Sequence, residues 1–173
     1  MAPLATIRRF MWLVAVVLGL VFVAAGAYMV SEGLSAKGQV HDTLVAERIT
    51  TSKDASIANA PVDDAATAQA QSDVIKMHVM ETTKGKTYSE MDRQDPLRAT
   101  YLDSVSLRTA LNLAVMGFKV SDLVIGMGAF IIVVGATNVL LTAPLLYWLR
   151  EGETAPAAER KRKVGSAAPF PTG

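Results

Sequence analysis

The sequence predicts a mainly α-helical membrane protein, with two transmembrane helices flanking a mostly helical extracytoplasmic loop that contains one short extended segment. Uncharged stretches at Phe10–Ser31 and Leu123–Leu149 bracket a polar middle of roughly 90 residues. At about 1.5 Å of helix rise per residue, either stretch exceeds the roughly 30 Å hydrocarbon core of a bilayer. The hydrophobic content of 51% would suit a soluble globule, so it is the concentration of apolar residues in two blocks that decides the class. The resulting division is a cytoplasmic N-terminus over 1–9, spans over 10–31 and 120–149, an extracytoplasmic region over 32–119, and a disordered cytoplasmic tail over 150–173.

Charge fixes the expected orientation. Arg8 and Arg9 precede the first span, and Arg150 followed by Arg160, Lys161, Arg162 and Lys163 comes after the second. Excess Lys/Arg marks the cytoplasmic side, so the chain is expected in the plasma membrane with both termini cytoplasmic and the middle exported. The middle is longer than the approximately 60 residues over which loop charge counts, so its own cations do not oppose this. A cleaved signal peptide is the rival reading of the first span, with Ala25-Gly26-Ala27 as the small-residue site. The apolar run is longer than the usual 7–15 residues and continues through Tyr28, Met29 and Val30, which favours an uncleaved anchor.

Inside the first span, Ala15-x-x-x-Gly19 fits the small-xxx-small pattern that lets membrane helices approach closely. Gly128, Gly135 and Asn138 are the corresponding candidates in the second, where the Asn138 amide needs a partner at bilayer depth. Tyr147 and Trp148 read as an interfacial aromatic anchor. Between the spans, Glu32–Asp42 reads as a polar, Gly-containing exit from the membrane. Leu44–Thr51, with Val45, Ile49 and several Thr, reads as the extended segment; a lone strand has to pair with a neighbour or lie on helices. Lys53–Asp64 is turn-rich. Asp63 or Asp64 then caps a helix over about 65–83, whose thin stripe of Ala70, Val74, Met77 and Glu81 predicts packing on one side only. Asp95-Pro96 starts a second helix, over about 96–118. There is no further proline before Pro144, so that helix is free to run into the second span, with Gly117 and Lys119–Asp122 marking the membrane surface or a kink.

Chemistry-bearing residues are sparse. The absence of cysteine excludes disulfides and thiolate sites. The middle carries ten Lys/Arg against twelve Asp/Glu, a net charge of −2, unlike the basic face of a nucleic-acid binder. An iron site of the two-His-one-carboxylate type would need both histidines, His41 and His78, with an acid such as Glu81. His41 lies in no ligand motif, so no metal and no cofactor are expected. No nucleophile elbow or phosphate loop is present. The charged cluster Glu90, Asp92, Arg93, Asp95 and Arg98 is either a solvated junction or a docking surface.

The run Ala70-Gln71-Ser72-Asp73-Val74-Ile75-x-x-His78, the stretch Gly85-Lys86-Thr87-Tyr88-Ser89-Glu90-Met91-Asp92-Arg93-Gln94-Asp95-Pro96-x-Arg98, and Ser106-Leu107-Arg108 together resemble a family of small, two-span, actinobacterial-type membrane proteins. The resemblance covers roughly Ala46 to Gly135 and implies the same two-span layout. Members of that family often carry the label aromatic ring-opening dioxygenase, a chemistry that needs an iron site and an aromatic-sized pocket; the two scattered histidines do not supply one, and no functional residue is carried over.

The expected function is that of a non-enzymatic accessory or scaffold subunit, whose partners are the lipid bilayer and another membrane protein or a second copy of itself. About 90 exported residues without a disulfide make a poor independent core, so their exposed faces are most readily buried by docking. An exported ligand-binding or sensing module is the alternative, and the dioxygenase a remote one.

Overall fold

The computed structural model describes residues 2–154, with side chains described over 10–148. Its elements are α1 (Ala2–Glu47), α2 (Ala65–Thr82), a short 3-10 turn (Tyr88–Glu90), α3 (Leu97–Thr137), a π turn (Asn138–Thr142) and α4 (Ala143–Thr154). The tail beyond Thr154, and the side chains of Arg8, Arg9 and Arg150 that set the expected orientation, lie outside the described residues and side chains. Two helical stretches, Phe10–Glu47 and Leu97–Trp148, are long and apolar enough to cross a membrane. Only 17% and 11% of their most apolar windows are buried. A core helix of a soluble domain would show the opposite.

The extended segment is corrected by the structure, which has no β-strand among the described residues. Through Glu32–Asp42, the stretch expected to leave the membrane, the chain stays helical: α1 continues unbroken to Glu47, and Leu44 becomes core. The residues over 32–47 include Glu, Leu, Ala, Lys and Gln, all good helix formers, and no proline intervenes. The helix ends at Arg48, whose φ of 52° is left-handed. In the loop beyond it, only an isolated bridge, Thr50 with Pro61, is sheet-like. In α3, Gly117 and Lys119–Asp122 are helical and mark no break.

The chain forms two compact units, Met1–Gly26 with Phe130–Gly173, and Ala27–Ala129. In the first, α1 and the end of α3 run antiparallel, since Gly19 meets Gly135 and Val139 while Trp12 meets Tyr147 edge-to-face at 5.6 Å. In the second, α1 and α3 are again antiparallel: Gly33 lies on Ser121 and Ile125, and Val40 on Gly117. Against that pair packs a small core of Leu44, Val62, Ala68, Leu111, Val115 and Phe118.

The loop over 49–62 is held by its own ladder. Ile49 and Thr51 carbonyls accept from Val62 and Asn59, the Thr51 N–H donates to Ala60, and the buried Thr51 hydroxyl accepts from the Ala60 N–H. Asp64 then caps α2 in a reciprocal capping box with Thr67. The expectation that α2 packs on one side only is also corrected. Thr67, Ala68, Ala70, Ser72, Val74 and Val79 are buried, whereas Met77 and Glu81 of the expected stripe are exposed. Small side chains (Ala, Ser, Thr) allow α2 to be approached closely from more than one direction, which an apolar-stripe count does not register.

Candidate functional site

Close helix contact is where the small residues act. A Cβ built on Gly135 would lie 2.6 Å from the Gly19 carbonyl oxygen and 2.8 Å from the Val23 nitrogen; one on Gly19 would meet the Gly135 oxygen at 2.8 Å. These are backbone atoms, which cannot swing aside, so both positions need glycine. Ala15 is buried on the same face of α1, four residues from Gly19. Asn138 flanks Gly19, and its carbonyl accepts the Ala143 N–H that closes the π turn. Gly128, in the second unit, is buried as well.

Two further contact glycines are not evident from the sequence patterns above. Gly33, in the stretch expected to leave the membrane, leaves 3.1 Å between its missing Cβ and the Ser121 carbonyl; Gly117, at the expected kink, faces Val40 at 3.0 Å. Gly33 has a signal in a seven-residue spacing, a series to which Gly117 does not belong. Gly19, Gly26, Gly33 and Val40 recur by sevens on α1, as do Ala114, Ser121, Gly128 and Gly135 on α3. That is the spacing of a tight helix seam.

The charged junction divides by role. Glu90 accepts from the Thr87 backbone N–H at 2.7 Å and from its hydroxyl at 2.8 Å. Those two bonds, the backbone one foremost, hold the Glu90 carboxyl below the usual carboxylate range. Asp95 accepts from the Leu97 N–H at 2.9 Å and so opens α3. Arg98 donates to the Met91 and Tyr88 carbonyls, and its guanidinium lies 3.8 Å over the Tyr88 ring. Three of the five charges therefore build the turn between α2 and α3. Asp92 and Arg93 remain exposed, beside a shallow, open cleft.

The two histidines serve different neighbours. His41 contacts the Asp63 carbonyl at 2.8 Å through Nδ1, and its Nδ1–H is the donor. His78 pairs through Nε2 with Asp54, whose carboxyl this bond holds below its ordinary value. Among the described residues no three His, Asp or Glu side chains converge as metal ligands would. An open cleft of about 480 Å³ borders His41, Asp63, Phe118 and the Lys37–Asp122 ion pair, whose atoms are 2.7 Å apart.

Between α2 and α3, the buried Ser72 hydroxyl donates to Asn112 Oδ1 at 2.8 Å. The Gln71 amide oxygen accepts from the Ser52 N–H and ties α2 to the 49–62 loop. Neither tie is visible in the sequence, where the partners stand 40 and 19 residues apart. Comparison with known protein families, curated proteins and solved structures returned no match.

Proposed function

We propose that the chain is a non-enzymatic, two-span protein of the plasma membrane, with both termini cytoplasmic, acting as an accessory or scaffold subunit of a membrane assembly. The observation that carries this reading is the apolar surface left uncovered on α3 ahead of the uncharged stretch that begins at Leu123. Leu113 is 67% exposed and Met116 61%, with Leu102 at 48%. Lipid accounts for exposed side chains within the spans, but Leu102, Leu113 and Met116 precede the span over 120–149 and need a protein surface. The family resemblance of the Gly85–Arg98 stretch supports the same layout of two spans around a short exported region. Asp92 and Arg93, which the turn leaves free, supply a polar rim of the kind protein interfaces carry.

Affinity purification from the native membrane in mild detergent, followed by native mass spectrometry, tests the reading. A stoichiometric assembly is expected. A monomer that brings no other chain with it would sink the proposal.

A further inference from the structure

Six exposed apolar residues of α3 form a stripe. Leu113, Met116, Val120 and Leu123 succeed one another at three, four and three, and Leu102 and Val105 repeat the first pair eleven residues earlier. All six are exposed. Leu111, Val115 and Phe118, which face the core, lie about half a turn away around the helix. The helix thus has two apolar faces, one used within the chain and one vacant.

We propose that this second face pairs with the same face of a second copy, α3 against α3 in parallel. The proposal rests on the accessory-subunit reading and names its partner. Three arguments select a copy of this chain. Threes and fours in alternation are the spacing by which identical helices interlock knobs into holes, and the eleven-residue offset keeps Leu102 and Val105 in line within three turns. Copies inserted by the same charge rule enter the bilayer in the same direction, so their α3 helices are parallel and each residue meets its own counterpart. Six side chains showing on the order of 100 Å² apiece put about 600 Å² per copy into the contact. Two copies then reach the roughly 1,200 Å² at which stable interfaces begin.

The absence of cysteine makes the test clean. Single substitutions Leu113→Cys and Val120→Cys are made in the full chain in its native membrane, with Leu107→Cys as control. Leu107 is exposed on the same helix but points away from the stripe. A disulfide forms only where the two Cα atoms come within about 7 Å. Mild oxidation is expected to give several-fold more covalent dimer at 113 and 120 than at 107. Equal yields at all three positions, or none at any, overturn the proposal. If no self-cross-link forms while another chain co-purifies, the pairing is wrong and the subunit reading stands. If the chain is monomeric and alone, both fall.

Discussion

Asp64 does at one residue what α2 requires to begin. Its carboxylate accepts the Thr67 N–H at 2.8 Å and the Thr67 hydroxyl at 2.8 Å, and the backbone bond above all holds the carboxyl below the usual carboxylate range. A depressed folded-state value means that the stabilisation is fully present above the unfolded-state pKa and is lost as pH falls through the lowered value. Asp64→Ala is expected to cost about 1 kcal/mol, read as faster amide exchange in the first turn of α2, and the difference from wild type should vanish in acid. Glycines separate into two kinds at this scale. Gly135→Ala forces a Cβ onto the Gly19 backbone and should destabilise by about 1–3 kcal/mol in detergent unfolding. A Cβ on Gly126 meets nothing within 4 Å, so Gly126→Ala should be neutral or stabilising, by up to about 1 kcal/mol. An acid cap at Asp63 or Asp64 is legible in the sequence because a short acid ahead of an alanine-rich run has one obvious use, and the structure selects Asp64. The distinction between Gly126 and Gly135 is not, because both are glycines in an apolar run and only the neighbour's backbone tells them apart.

At the scale of elements, the 49–62 loop and α2 are held in place by polar ties as much as by apolar burial. Asn112→Leu would leave the Ser72 hydroxyl, 1% exposed, without its acceptor, and should open α2 by about 1–3 kcal/mol. Asn112→Asp keeps an oxygen in place and should restore most of the protection, while amide exchange in the spans stays unchanged in both variants. The same elements mark where local sequence preference stops deciding structure. Val45, Ile49, Thr50 and Thr51 favour extended backbone by propensity. Leu44 is nonetheless claimed by the core with Leu111 and Phe118, and the helix persists to Glu47 because tertiary burial outweighs a preference of a few tenths of a kcal/mol per residue. The start of α3 is readable at Asp95-Pro96, a capping acid ahead of a residue that lacks the N–H a first turn cannot use.

For the whole molecule, the orientation carries its own test. Arg93→Cys, exposed in the turn before α3, should react with a membrane-impermeant maleimide added to intact cells. Labelling only after lysis would reverse the proposed topology. Because the two histidines are each occupied by a separate oxygen partner, treatment with a strong chelator is expected to leave the unfolding temperature unshifted. A fall of several degrees would reinstate a metal site. The two-block hydropathy makes the helical class and the number of long apolar helices legible in the sequence. The candidate site is legible only in part: Ala15, Gly19, Gly135 and Asn138 stand out as small or polar residues in apolar runs, but the vacant stripe on α3 emerges only once Leu111 and Phe118 are known to face the other way.

The π turn at Asn138–Thr142 precedes Pro144, whose ring leaves the Leu140 carbonyl without its usual donor and crowds it. Widening the turn, with the Ala143 N–H reaching back to Asn138, takes up that conflict. Such a turn stores one extra residue of phase. It sets everything downstream back by about 100° around the helix axis relative to an unbroken α-helix. Tyr147 stands twelve residues after Gly135, about 120° away around an unbroken helix, and the offset brings it back to within about 20° of the glycine's direction, the side on which it meets Trp12.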